Sequence, residues 1–200
     1  MTAVVAFDFD GTLTRRDTIL PFLRAAAGTG VFLRGLPAAG PTLVARAVGF
    51  RSATAAKEWL FRRYLAGRPL GEVRDAARRF ARDTLPGMLR PAAIRCLDRH
   101  RSEGRRCLVV TASPEIYVMP WAASRGIEAI GSRLAVDAGG RLTGGHDGPA
   151  CDGAEKLRRL RAAVGEDVRI LHAYGDSRGD LPLLAAAENA HWRRFPEPPR

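Results

Sequence analysis

Lysine is almost missing from this 200-residue chain: 30 of its 32 basic residues are arginine, and only Lys57 and Lys156 are lysine. Cysteine is scarce as well. The three thiols, Cys96, Cys107 and Cys151, are odd in number and lack CxxC spacing, which excludes a disulfide framework and a zinc knuckle. Long apolar runs are absent: the longest stretch without Asp, Glu, Lys or Arg is the eleven residues from Gly35 to Ala45, and it holds Pro37 and Pro41. A membrane-spanning helix needs about 20 apolar residues, so none is expected. Met1-Thr2-Ala3-Val4 has no basic leader, which reads as no secretory signal and a cytoplasmic protein.

What is present is ordinary in bulk. Charged residues at 26% and hydrophobic residues at 46% exclude disorder and collagen-like repetition. A chain of this length buries roughly 70% of the surface it exposes when unfolded, enough for a core without staples. The net charge of +11 permits an anionic partner without naming one. No aromatic–basic interleaving or DNA-binding motif accompanies it, so no nucleic-acid partner is expected.

Val4-Val5-Ala6-Phe7 is short and wholly apolar, the pattern of a strand buried on both faces. Similar runs stand at 107–110, 127–130 and 168–173, separated by helical patterns at 115–125, 154–164 and 181–189. The alternation predicts an α/β fold with a parallel sheet. A two-strand ribbon fits 133–136 with 141–143. Between residues 17 and 97 only helical segments occur, the clearest at 53–65, 70–84 and 91–101. Roughly eighty residues are too many for a simple crossover, so an inserted helical cap is expected. The division is a core of 1–16 plus 98–194, a cap of 17–97 and a flexible tail of 195–200.

Four segments carry chemistry. Asp8 and Asp10, in Phe7-Asp8-Phe9-Asp10-Gly11-Thr12, are two carboxylates where a buried strand runs out, and ligands of open α/β sheets bind beyond such strand ends. Burial and mutual repulsion there call for a metal cation or a retained proton. Tyr174-Gly175-Asp176-Ser177-Arg178-Gly179-Asp180 repeats the geometry, with Asp180 one turn after Asp176. This segment reads equally as a helix cap, yet with Asp8 and Asp10 it makes an all-oxygen cluster suited to magnesium. Val110-Thr111-Ala112-Ser113-Pro114-Glu115 ends the second strand, with Ser113 expected to cap a helix and Pro114 to start it. Free N–H groups at such a start can bind phosphate. Lys156 follows in Gly153-Ala154-Glu155-Lys156, as surface or as site.

In this order the four segments resemble the haloacid dehalogenase superfamily of phosphohydrolases, in particular subfamily I members related to phosphoserine phosphatase and to bacterial phosphatidylglycerophosphatases. The resemblance spans Val4 to about Arg194. It implies a Rossmann-like three-layer parallel-sheet core with an inserted all-helical cap, and a Mg²⁺-dependent phosphatase working through an aspartyl phosphate. Asp8 would be the nucleophile and Asp10 the general acid and base. Thr111, Ala112 and Lys156 would hold the phosphoryl group. Asp8, the Asp10 carbonyl and Asp176 would ligate Mg²⁺, with Asp180 and Ser177 in support. Gly179 stands where phosphoserine phosphatase usually has Asn.

The substrate side differs further. Phosphoserine phosphatases place acidic residues early in the cap; here Asp17 is followed at once by apolar residues, and 31–33, 36, 43–44 and 59–61 continue the trend. These either pack the cap or form a pocket, or a membrane-facing lip, for a hydrophobic phosphate. Asp17 and Arg24 would touch the substrate, and Arg24, Arg34 and Arg46 would meet anionic lipid or phosphate. A small-molecule or lipid-headgroup phosphate is expected, phosphatidylglycerophosphate-like ahead of phosphoserine, with peripheral membrane contact. The competing expectations are a non-catalytic basic binding protein on the same fold and a phosphotransferase with the same nucleophile.

Overall fold

Val4 to Phe7 carries no polar side chain, and all four residues are fully buried because their strand lies at the centre of the sheet. The structure, a computed structural model, describes residues 3–47 and 53–195, the side chains of 39–47 and 53 excepted. Strand β1 (Ala3–Phe7) pairs in parallel with β2 (Arg106–Pro114) on one side and β6 (Arg169–Gly175) on the other. Outside them lie β3 (Glu128–Ser132) and β7 (Ala187–Trp192), giving the order β3-β2-β1-β6-β7 with every neighbour parallel.

The two-residue period of a strand splits its side chains between two cores. Val5, Phe7, Cys107 and Val109 join the core that includes α5 (Pro91–Ser102) and α6 (Glu115–Ser124). Val4, Ala6, Leu108 and Val110 pack with α7 (Ala154–Val164) and α8 (Leu181–Ala185) on the opposite face. The parallel sheet is the one expected from the alternation, and helices on both of its faces make the three-layer α/β core that the resemblance implied.

Helices fill the sequence between β1 and α5: α1 (Ile19–Ala27), α2 (Thr29–Ala47), α3 (Ala53–Leu65) and α4 (Leu70–Arg79). The helix predicted over 70–84 is realised as α4 followed by a wider turn through Thr84. The ribbon becomes β4 (Leu134–Val136) and β5 (Leu142–His146), antiparallel and laid against α3. Gly144 makes that approach possible. Its φ is +83°, and a Cβ there would stand 2.5 Å from the Arg62 Cα.

Two expectations are corrected. The helix predicted over 181–189 stops at Ala185, and 187–192 forms the fifth strand. As an edge strand with mostly exposed side chains, β7 carries Glu188, Asn189 and His191 and shows no apolar strand signal. Ser113 and Pro114 belong to β2, and α6 begins at Glu115. Among the described residues, no helix is long and apolar enough to cross a membrane.

Three of the four histidines meet beside β6. His100 Nε2 lies 2.8 Å from the Tyr174 hydroxyl, and Arg105 Nη1 lies 2.6 Å from His100 Nδ1. His172 Nδ1 lies 3.0 Å from His191 Nε2, and the Tyr174 ring stacks between Phe7 and His191. Burial pushes His100 down to about 4, with the neighbouring His172 and Arg105 charges acting the same way.

Candidate active site

Asp8 immediately follows the buried run of β1, at the carboxyl edge of the central strand, and its N–H donates to the Tyr174 carbonyl at 2.8 Å. The carboxylate is 5% exposed. Lys156, 2% exposed, reaches it from the first turn of α7. Its Nζ donates to Asp8 Oδ1 at 2.6 Å and to Asp180 Oδ1 at 2.5 Å. The second oxygen of Asp180 accepts from the Asp176 and Ser177 N–H groups at 3.1 and 2.9 Å and from Ser177 Oγ at 2.8 Å. Asp180 therefore fixes the loop after β6 and the lysine at once. Burial pulls the Lys156 ammonium down, but Asp8 and Asp180 hold its pKa above the ordinary lysine value. Burial pushes Asp8 up to about 7 against the pull of Lys156.

Asp8, Asp176 and Asp180 offer carboxylate oxygens that all lie within 4.8 Å of one another. Three carboxylates against one ammonium leave two negative charges in a largely buried place. Burying such a charge is costly without a partner, and an all-oxygen donor set carrying that excess suits a divalent cation such as Mg²⁺. Thr12 Oγ1 donates to Asp176 Oδ1 at 3.3 Å, and Gly11, at φ +79°, passes so close that a Cβ would collide with the Asp176 carboxylate.

The Asp10 side chain turns away from this cluster. Oδ1 accepts from the Thr18 N–H at 3.0 Å and from Thr18 Oγ1 at 2.7 Å, and Oδ2 accepts a short bond from Ser113 Oγ. Thr18 Oγ1 also lies 2.8 Å from the Tyr117 hydroxyl. Burial first, and then the charge of Asp17, push Asp10 up to about 6, while Lys57, Ser113 and Thr18 oppose the rise. Thr111 is buried at the end of β2, where its Oγ1 accepts from the Ser113 N–H at 3.1 Å. The Ala112 carbonyl accepts from Ser132 Oγ at 2.9 Å.

A cavity of about 780 Å³ lies between α1, α2 and α3, and Asp17 and Ile19, the neighbours of Thr18, are in its lining. Its apolar wall comes from Leu20, Phe32, Leu36, Leu60 and Met88, and its charged groups are Arg16, Asp17, Arg24 and Lys57. Asp17 Oδ1 accepts from the Ile19 N–H at 2.8 Å, and Arg24 Nε donates to Thr29 Oγ1 at 3.2 Å. The apolar residues singled out in the sequence divide here. Phe32, Leu60 and Phe61 are buried, whereas Val31 and Leu33 are exposed. Exposed Arg34 bonds the Gly30 carbonyl, and the side chains of Leu43, Val44 and Arg46 lie outside the described residues.

The fold thus brings Asp8, Asp176, Asp180, Ser177 and Lys156 together, sets the Asp10 carboxylate in a separate cage, and leaves Asp17 and Arg24 on the cavity. Sequence reasoning missed Thr18 and Tyr117, whose types carry no signal. It also passed over the Ser113 hydroxyl as an Asp10 partner, assigning it to a helix cap. Lys57 had a signal, its rarity. At Gly179 a Cβ would meet the end of the Asp152 side chain.

The family model described as haloacid dehalogenase-like hydrolase matches residues 5–185. Protein CicA of Caulobacter vibrioides is 39% identical over 193 residues, covering 96% of this chain and 86% of the relative. A phosphoserine phosphatase of Halobacterium salinarum is 32% identical over 195 residues, covering 94% and 83%. Among solved structures, a protein of unknown function from Bordetella pertussis Tohama I superposes with a TM-score of 0.77 at 24% identity, covering 93% of this chain and 87% of that one. With the carboxylate-edged parallel sheet and a match across nearly the whole chain, the protein belongs to the haloacid dehalogenase-like hydrolases.

Proposed function

We propose that the protein is a Mg²⁺-dependent phosphatase that hydrolyses the phosphate monoester of a small molecule through a phosphoryl group carried on Asp8. The observation behind this reading is the buried Lys156 ammonium held between Asp8 and Asp180 at the tip of the central strand. A fixed cation there neutralises an oxygen of the transferring group, and such preorganised charge supplies most of the acceleration in phosphoryl transfer. The Asp8 carboxylate attacks phosphorus while the bond to the leaving oxygen breaks, and Asp10 gives that oxygen a proton. Water then attacks phosphorus, Asp10 takes a proton from it, and the bond to Asp8 breaks to release inorganic phosphate.

Asp10 suits both halves, since its donors fix its direction and burial lifts it to about 6, near a working pH. Thr111 and Ala112 would hold phosphoryl oxygens with Lys156, while Asp180 and Ser177 keep the lysine and the β6 loop in place. Asp8, Asp176 and the Asp10 carbonyl would hold Mg²⁺, which when bound supplies charge neutralisation to the transferring oxygens. In this reading, residues 1–16 and 98–194 form the catalytic core and 17–97 the cap over it. The apolar cavity suits an amphiphilic phosphate, a lipid headgroup among them, better than phosphoserine, whose polar leaving group would leave those walls against water.

Turnover of p-nitrophenyl phosphate with and without Mg²⁺ tests the reaction. The wild type should require Mg²⁺, and Asp8→Asn should lose at least ~10⁴-fold in kcat with an unchanged melting profile. Full activity in Asp8→Asn would refute the nucleophile assignment.

A further inference from the structure

Two further cavities are each lined by four arginines, and they are built differently. The larger, about 710 Å³ among α4, α5 and α6, takes Arg78, Arg82, Arg101 and Arg125. Each of these has a carboxylate of its own chain nearby: Asp75 at 3.4 Å, Asp83 at 2.7 Å, and Asp98 at 3.9 and 4.0 Å from the last two. The smaller, about 280 Å³, lies where the turn after β1 meets the end of β7, and takes Arg15, Arg90, Arg193 and Arg194. None of these four is in ion-pair contact with a carboxylate among the described residues. Asp176 is the one acid of the lining, and the charge of Arg193 acts on it from farther off.

Four like charges around so small a space repel one another until an anion enters. Two of them are fixed by the backbone. Arg90 Nη2 donates to the Gly11 carbonyl at 3.1 Å, its one bond, and its buried Nε has no acceptor. Arg193 Nε donates to the Asp176 carbonyl at 3.0 Å, while the Arg193 N–H donates to the Gly175 carbonyl at 2.9 Å. The backbone there is strained: at φ +54°, Arg193 is the only non-glycine among the described residues in the left-handed region. A bulky residue kept at such an angle points to a use for its side chain. Arg15 and Arg194 are exposed, and their guanidinium groups make no hydrogen bond among the described residues.

We propose that this four-arginine pocket is a second anion site, separate from the catalytic cluster, and that it takes a phosphate group. Planar guanidinium forks match the oxygens of such a group. The volume falls below the range that encloses a drug-sized ligand, so it suits the free ion or the phosphate end of a monoester. Arg90 holds the turn after β1 and Arg193 the loop after β6, so the anion fastens one to the other through them. The site goes beyond the phosphatase reading, since binding there needs no turnover.

Calorimetric titration of the full chain with inorganic phosphate, without added Mg²⁺ and at an ionic strength matched with sodium chloride, tests the site. Under these conditions the excess negative charge of Asp8, Asp176 and Asp180 repels the ion from the catalytic cluster. One phosphate should bind per chain. Arg193→Gly, which accepts the backbone angle, and Arg15→Gln, on an exposed side chain, should each weaken binding about tenfold, the worth of one charge-assisted contact. Arg78→Gln and Arg82→Gln, in the larger cavity, should leave it unchanged. Phosphate should also raise the melting temperature of the wild type above the chloride control, and not that of Arg193→Gly. Methyl phosphate in the same titration separates the two sources: equal affinity supports a site for esters, and weaker binding a site for the free ion. No saturable binding, or an equal loss in Arg78→Gln and Arg193→Gly, would overturn the assignment even if p-nitrophenyl phosphate is hydrolysed. Binding with no hydrolysis would leave the site standing and sink the phosphatase reading alone.

Discussion

The two lysines of the chain stand in opposite surroundings. Lys156 is 2% exposed and carries two carboxylates at 2.5 and 2.6 Å, whereas Lys57 is half-buried in an apolar wall, in direct ion-pair contact with no carboxylate among the described residues, and its charge acts on Asp10 from farther off. At the sheet edge, the chain supplies the counter-charges and in excess. In the cavity it supplies the cation alone. The first region is left with an excess of negative charge that suits a divalent cation, and the second with a cation on an apolar wall.

The same substitution at the two positions should expose this difference. Lys156→Met leaves Asp8, Asp176 and Asp180 without their ammonium and should cost about 3–5 kcal/mol at pH 7.5. Asp8 and Asp176, which burial already pushes up, would lose the opposing pull of the ammonium, so the cost should shrink as pH falls and they take up protons, and Mg²⁺ should restore part of it at pH 7.5. Thermal melts at both pH values, with and without Mg²⁺, provide the measurement, and a loss independent of both would break the contrast.

The histidine stack is a third solution, burial without charge, and its effect is smaller. His100 is held down to about 4 from 6.5, so it is neutral in the fold while the unfolded chain takes up a proton below about 6.5. Stability present above that pH is lost as pH falls toward 4, amounting to about 2 kcal/mol at pH 5. The melting temperature of His100→Gln should respond less to a change from pH 7 to pH 5 than that of the wild type. Gly11→Ala should follow, with about 1–2 kcal/mol of backbone strain and a displaced Asp176 carboxylate. Its mark is a rise in the Mg²⁺ concentration needed for half-maximal activity. Least of all, Lys57→Met should leave stability within about 0.5 kcal/mol, since it breaks no direct ion pair and removes only a longer-range pull on Asp10.

How far these regions were legible from sequence follows the same division. Residues whose role depends on the end of an apolar strand announced themselves: Asp8 after Val4–Phe7, and Asp176 after the run in β6. Lys156 gained meaning from its order in the chain. The five-stranded sheet was legible except for β7, whose half-exposed edge position needs no apolar pattern. The surroundings of Asp10 were not legible, because Thr18, Ser113 and Tyr117 meet only after β2 and the first helix close on the same turn. Nor could the cavity be read, since helical periodicity is the same whether a Leu faces another helix or a space. Burial separates Phe61, sealed in the core, from Leu33 on the surface, although both lie in equally apolar runs.

The hold on Asp10 has one more consequence. Two of its three donors come from Thr18, which stands just before α1, and the third comes from Ser113 at the tip of β2. A swing of α1 to admit a ligand would strip two bonds from the acid at a stroke, and its return would remake them. If Asp10 is the acid, as proposed, its aim would then depend on the seating of the helix that begins beside Thr18.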